Sequence, residues 1–72
     1  MDRLTQTLIF SEDSMSKGKK IEYRYFFDDY RLHFQTWIGS QKSGWEITNR
    51  WSLPIAAMKT LTKNLQTEMN PL

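Results

Sequence analysis

Lys20-Ile21-Glu22-Tyr23-Arg24-Tyr25-Phe26-Phe27-Asp28-Asp29-Tyr30-Arg31-Leu32-His33-Phe34-Gln35-Thr36-Trp37-Ile38 is the stretch whose alternation decides the fold. In its first half Ile21, Tyr23, Tyr25 and Phe27 recur at every second position, with Glu22, Arg24 and Phe26 between them, which is the period of a half-buried strand. After Asp28-Asp29 the alternation resumes, with Tyr30, Leu32, Phe34, Thr36 and Ile38 on one side and Arg31, His33, Gln35 and Trp37 on the other. Paired aspartates between two such runs mark a tight turn, so residues 20–38 are predicted to form a β-hairpin. A two-residue turn opposes Phe27 to Tyr30, Tyr25 to Leu32 and Tyr23 to Phe34 on one face. It then sets Arg24 against His33 and Glu22 against Gln35 on the other.

Working outward, the loop Gly39-Ser40-Gln41-Lys42-Ser43-Gly44 leads into a third strand at 44–51, where Trp45, Ile47 and Trp51 share a parity that Glu46, Thr48 and Arg50 do not. Opposing Ile38 to Trp45 puts these apolar residues on the inner face, with Asn49 as a bulge or the strand's end. Upstream, residues 4–10 offer a further possible strand, and the Ser-, Gly- and charge-rich residues 11–19 read as a surface loop. Downstream, Ser52 is a good N-cap, and Pro54 is tolerated in a first helical turn because its missing N–H has no partner there. Ile55, Met58, Leu61, Leu65 and Met69 then recur at helical spacing opposite Lys59, Lys63, Asn64 and Thr67, predicting an amphipathic helix over 53–69 that ends before Asn70-Pro71. Its stripe is expected to cover the sheet, with part of it available to a second copy of the chain.

The expected architecture is therefore one α+β domain over 1–72: an antiparallel sheet of three to four strands, then one C-terminal amphipathic helix packed on one face. A chain of 72 residues is below the size at which an apolar core alone comfortably outweighs chain entropy, which favours self-association as a homodimer. Cysteine is absent, which removes both disulfides and thiolate metal sites and fits a reducing compartment. The start Met1-Asp2-Arg3-Leu4-Thr5 lacks the pattern of an export signal, and no run approaches the ~20 apolar residues of a membrane span. A cytoplasmic location away from membranes is expected. Aromatic content of 14% is high, while the net charge of +2 permits nucleic-acid affinity without demanding it.

Catalytic chemistry finds little footing. His33 is the only histidine, and Asp28 and Asp29 occupy a turn with no third ligand, so no metal site is expected. No glycine-flanked nucleophile turn accompanies His33, and Gly18, Gly39 and Gly44 are too widely spaced for a phosphate-binding fingerprint. Ser16-Lys17-Gly18-Lys19-Lys20 is a basic loop that either aids solubility or grips phosphate. The expectation is a non-catalytic binding domain without cofactor or metal.

The predicted outer sheet face gathers Arg24, Phe26, Arg31, His33, Gln35, Trp37, Thr48 and Arg50, with Glu22 and Glu46 as acidic exceptions. Interleaved cations and flat rings suit single-stranded nucleic acid, because guanidinium groups pair with phosphates and exposed rings accept stacked bases. A duplex reader more often presents a basic helix, and here only Lys59 and Lys63 are basic on the helix. The expected site comprises Arg24, Phe26, Arg31, His33, Trp37, Lys42 and Arg50, and it requires Arg24, Arg31 and Trp37 to be exposed together.

Four strands and a helix, with Lys42-Ser43-Gly44-Trp45-Glu46-Ile47-Thr48 ahead of a Ser-Leu step, resemble the positive-cofactor-four family of transcriptional coactivators over roughly Ile21 to Leu65. The resemblance implies a sheet that binds single-stranded DNA and helices that help build a homodimer. It assigns backbone contact to Lys42 and Arg31 and base stacking to Trp37 and Phe26. The chain departs from that pattern at Asn49-Arg50-Trp51, which separates strand from helix.

Trp, Tyr and Arg are also the preferred hot-spot residues of protein interfaces. The alternative is a protein-binding inhibitor or adaptor, such as a small phage-encoded blocker of a host nuclease or defence complex. Uncovered rings beside unpaired cations favour nucleic acid, and an open apolar face on the helix side favours a protein contact.

Overall fold

The computed structural model describes residues 2–70. A short 3₁₀ turn at Arg3–Thr5 leads into β1 (Thr7–Asp13), β2 (Lys20–Phe27), β3 (Arg31–Ser40) and β4 (Gly44–Pro54), and α1 (Ile55–Met69) follows. The strands pair in chain order, each antiparallel to the next, in one four-stranded sheet, so the expected α+β arrangement holds. The first strand lies further along the chain than 4–10, and only residues 14–19 remain as loop. Pro71, taken as a stop signal behind the helix, lies outside the described residues.

The central hairpin keeps the expected faces but not the expected register. Phe27 faces Leu32, Tyr25 faces Phe34, Tyr23 faces Thr36 and Ile21 faces Ile38. On the reverse face Phe26 meets His33, Arg24 meets Gln35 and Glu22 meets Trp37. The cause lies in the turn, where the Asp28 carboxylate accepts the backbone N–H groups of Tyr30 and Arg31, and the Asp28 N–H donates to the Arg31 carbonyl. Asp28 thus opens the turn, and Asp29-Tyr30, instead of Asp28-Asp29, forms its tip. The partner of each residue moves by two positions, an even step that leaves every side chain on its predicted side.

Two bulges change parity where the sequence pattern does not reveal it. Between Thr36 and Trp37 the β3–β4 register slips, leaving Thr48 as the extra residue. Beyond that slip Trp37 faces Ile47, Gly39 faces Trp45 and Ile38 faces Glu46. Trp45 and Ile47 therefore lie on the outer face, which corrects their expected place opposite Ile38, while Asn49, Trp51 and Leu53 stay on the inner face. In β1 the register slips between Leu8 and Phe10, so Leu8 points outward while Phe10 stacks against Tyr23 on the inner side.

The helix starts later than residue 53 because β4 continues through Ser52-Leu53-Pro54, pairing them with His33, Leu32 and Arg31. Ser52 is consequently a strand residue instead of an N-cap, and Pro54 precedes the first turn. The Ile55 N–H donates to the Tyr30 carbonyl, which fixes the base of the helix at the β2–β3 turn end of the sheet. Met58 and Thr62 then lean over the inner face, closing one side of a groove of about 370 Å³ whose floor is Tyr25, Phe27, Leu32 and Phe34.

This cover is thin. The molecule measures 42 × 34 × 16 Å, and its radius of gyration of 14.5 Å exceeds the roughly 11 Å of a compact chain this long. Among the described residues only one large apolar side chain is buried, Leu32, 3% exposed. Ile9, Phe10, Phe27 and Trp51 are about half exposed, and Leu65 and Met69 on the helix are exposed as well. No helix of the described residues is long and apolar enough to cross a membrane.

Candidate functional site

Strand parity brings six of the seven expected site residues, Arg24, Phe26, Arg31, His33, Trp37 and Arg50, onto the outer face. Lys42 lies apart from them in the β3–β4 turn, at the far end of the sheet from Arg31. The face divides into two halves with different chemistry.

The half nearer the β3–β4 turn is covered by the N-terminal turn. Gln6, itself buried, donates from Nε2 to Gln35 Oε1 at 2.8 Å and accepts the Trp37 indole N–H at 3.4 Å. Arg24 Nη1 donates to the Gln6 carbonyl at 2.8 Å, and its Nε donates to Glu22 Oε1 at 2.7 Å. Arg3 pairs with the same carboxylate oxygen and lays its guanidinium 3.9 Å from the centre of the Trp45 ring, a cation–π contact. The Trp45 indole N–H is buried with no acceptor among the described residues.

Burial alone would raise the Glu22 carboxyl. The hydrogen bonds and charges of Arg24 and Arg3 outweigh it and hold the group below its ordinary range. With side-chain exposures of 11% and 14%, Arg24 and Glu22 form an internal ion pair. Arg24 and Trp37 are therefore not exposed together with Arg31, as the sequence pattern had required. Arg3, Gln6, Trp45 and Ile47 belong to this half and were missing from the expected set. Nothing in the sequence marks Arg3 or Gln6, whereas the polar Asn49 was a nearby sign of the bulge that turns Trp45 and Ile47 outward.

The half nearer the β2–β3 turn is open. Phe26 and His33, cross-strand partners, stack with ring centres 4.7 Å apart and planes 6° from parallel. His33 Nε2 pairs with Asp28 Oδ2, which holds the imidazole in that plane. The Asp28 carboxyl is lowered to about 2, first by the Tyr30 N–H, then by the His33 side chain and the Arg31 N–H. On one side Arg31 donates from Nε to Ser52 Oγ at 2.9 Å, a neutral partner that orients the guanidinium without cancelling its charge. On the other side Arg50, opposite Gln35, is exposed, and neither arginine joins an ion pair among the described residues.

The remaining charges are local. Lys20 pairs with Asp13 and lowers that carboxyl, while Glu12 accepts the Tyr23 hydroxyl on the inner face and raises it. Among the described residues no three His, Cys, Asp or Glu side chains are grouped as metal ligands. The chain matches no protein family, no curated protein and no solved structure.

Proposed function

We propose that the chain is a non-catalytic, cytoplasmic binding domain that takes single-stranded nucleic acid on the open half of its outer face. The observation that carries this is the stacked Phe26–His33 pair flanked by Arg31 and Arg50, two cations without a carboxylate partner. The paired rings offer a flat platform, and stacking contributes about 1–3 kcal/mol per base. Arg31 and Arg50 stand on either side of that platform to meet successive phosphates, while Lys42, beyond the covered half, stands apart from them. Arg24 and Trp37 act beneath the face, as supports of the sheet. The resemblance to the positive-cofactor-four family, read from the order of four strands and a helix, supports the same reading.

Fluorescence anisotropy of a labelled oligothymidine, titrated at several salt concentrations, tests it. With both arginines engaged, log affinity should fall with log salt at a slope of about −1.4, and at about −2.1 if Lys42 joins them. Arg50→Ala should reduce the slope by about 0.7. Phe26→Ala should weaken binding and leave the slope unchanged. Absence of binding at low salt removes the proposal.

The half-exposed aromatic rings of the inner face favour a second reading, the protein-binding inhibitor or adaptor, including a phage-encoded blocker of a host nuclease or defence complex. A stoichiometric foreign protein that stays with the chain after nuclease treatment, and that Trp51→Ala releases, would select it.

A further inference from the structure

We infer that the inner face is the interface of a homodimer, two copies packing inner face to inner face, helices included, about a twofold axis. The accessible surface of the single chain is 5849 Å². A compact monomer of 8.6 kDa exposes about 4,700 Å², so this chain carries roughly 1,150 Å² in excess. Each partner in a stable complex of ordinary size gives up about 800 Å². The surplus is thus enough to build an interface, and it is the size at which the two-copy joint becomes the second layer of the fold. A single sheet with one short helix leaves its apolar face without that layer. The uncovered residues are the right kind: Phe10, Phe27 and Trp51 are large and apolar, and Trp51 already stacks on Phe34 with ring centres 4.4 Å apart.

The charges on this side select a second copy over an unrelated partner. Glu12 and Glu46 lie opposite Ile21 and Ile38, at the β3–β4 turn end of the inner face. Lys59 lines a second hollow, beside Phe27 and Ile55 at the other end, and Lys63 follows one helical turn later. Six residues of β2 separate the two ends, about 20 Å at strand rise. On the face itself the glutamates stand at one end and the helix lysines at the other, with an apolar middle, while Lys42 and Asp29 lie in the turns beyond. A twofold axis through that middle brings the acidic end of each copy to the basic end of the other, which makes the patch complementary to itself. The exposed Leu65 and Met69 of the helix then have a neighbouring surface to cover. Both outer faces stay free and point away from each other, so the dimer does not depend on the nucleic-acid reading.

Sedimentation equilibrium of the full chain is the test. The expected mass is twice 8.6 kDa. Phe27→Lys should weaken dimerisation by about 30-fold or more, as loss of an interface anchor does. Because that variant also touches the fold, Lys59→Glu provides an exposed control. It should weaken the dimer by about fivefold, and adding Glu46→Lys should restore it. A single-chain mass at concentrations of about 100 μM overturns the inference, taking millimolar association as too weak for an interface of this area. So does a dimer that neither Phe27→Lys nor Lys59→Glu weakens, or a different protein found seated on the inner face.

Discussion

Leu32→Ala removes the one large apolar side chain that the described residues bury, held between Phe27 and Leu53 in the adjoining strands. In well-packed cores such a truncation costs about 2–5 kcal/mol, the lost transfer of the methyl groups plus the cavity they leave. Here the neighbouring groove of about 370 Å³ is open to solvent, so water and the Met58 side chain can enter the space. That places the cost at the lower end, about 2–3 kcal/mol. A chain of 72 residues has a total stability of about 4–11 kcal/mol, so the substitution consumes about a fifth of it or more. Urea unfolding followed by circular dichroism at fixed protein concentration measures this. With a slope of about 1 kcal/mol per molar, the midpoint should fall by about 2–3 M while the slope is unchanged. Tyr30→Ala, at a site 80% exposed in the turn, is the control and should stay within about 0.5 kcal/mol of the parent. Equal midpoints for the two variants would refute the claim that the core is centred on Leu32.

The Asp28 turn predicts a pH dependence. Its carboxyl is lowered to about 2, so the stability it contributes is present above the ordinary 3.8 and is lost as the pH falls through about 2. The unfolding midpoint should therefore drop between about pH 4 and pH 2, and Asp28→Asn should flatten that part of the curve. Gly39→Ala should cost more than about 1 kcal/mol in urea unfolding and more than Gly44→Ala. Gly39 has φ +155°, and a Cβ there would run into the Gly44 carbonyl and approach the Trp45 Cα at 2.8 Å, whereas a Cβ on Gly44 meets nothing within 4 Å.

The faces of the central hairpin were legible because side-chain alternation survives an error in pairing. Taking Asp28-Asp29 as the turn tip displaced each partner by two positions, and Tyr25, Phe34 and Leu32 still shared a face. A bulge is a different matter, since a single extra residue reverses every side chain beyond it. Trp45 and Ile47 are apolar and suit either face by composition. Ile47 meets Trp37 across the strand pair, and Trp45 meets Arg3, which lies far from it in sequence. The helix start was misplaced for a related reason: Ser52 has the chemistry of a cap, but its hydroxyl serves Arg31 while Leu53 completes the ladder against Leu32.

The candidate site shows the same division between local and distant information. Alternation alone gathered Arg24, Phe26, Arg31, His33, Trp37 and Arg50 on one side, yet sharing a face does not make a charge available. Glu22 and Arg24, two residues apart on one strand, necessarily point the same way, and their ion pair was already implicit in the hairpin. Arg31 has Ser52 beside it and Arg50 has Gln35 opposite, so neither meets an acid, and both keep a full charge for an external anion. Covering Trp37 required Gln6, which reaches it through a tertiary contact that no strand pattern encodes. If the face takes nucleic acid as proposed, affinity should follow the cations whose neighbours are neutral: Arg24→Ala should disturb the fold, whereas Arg31→Ala or Arg50→Ala should weaken binding and leave the fold intact.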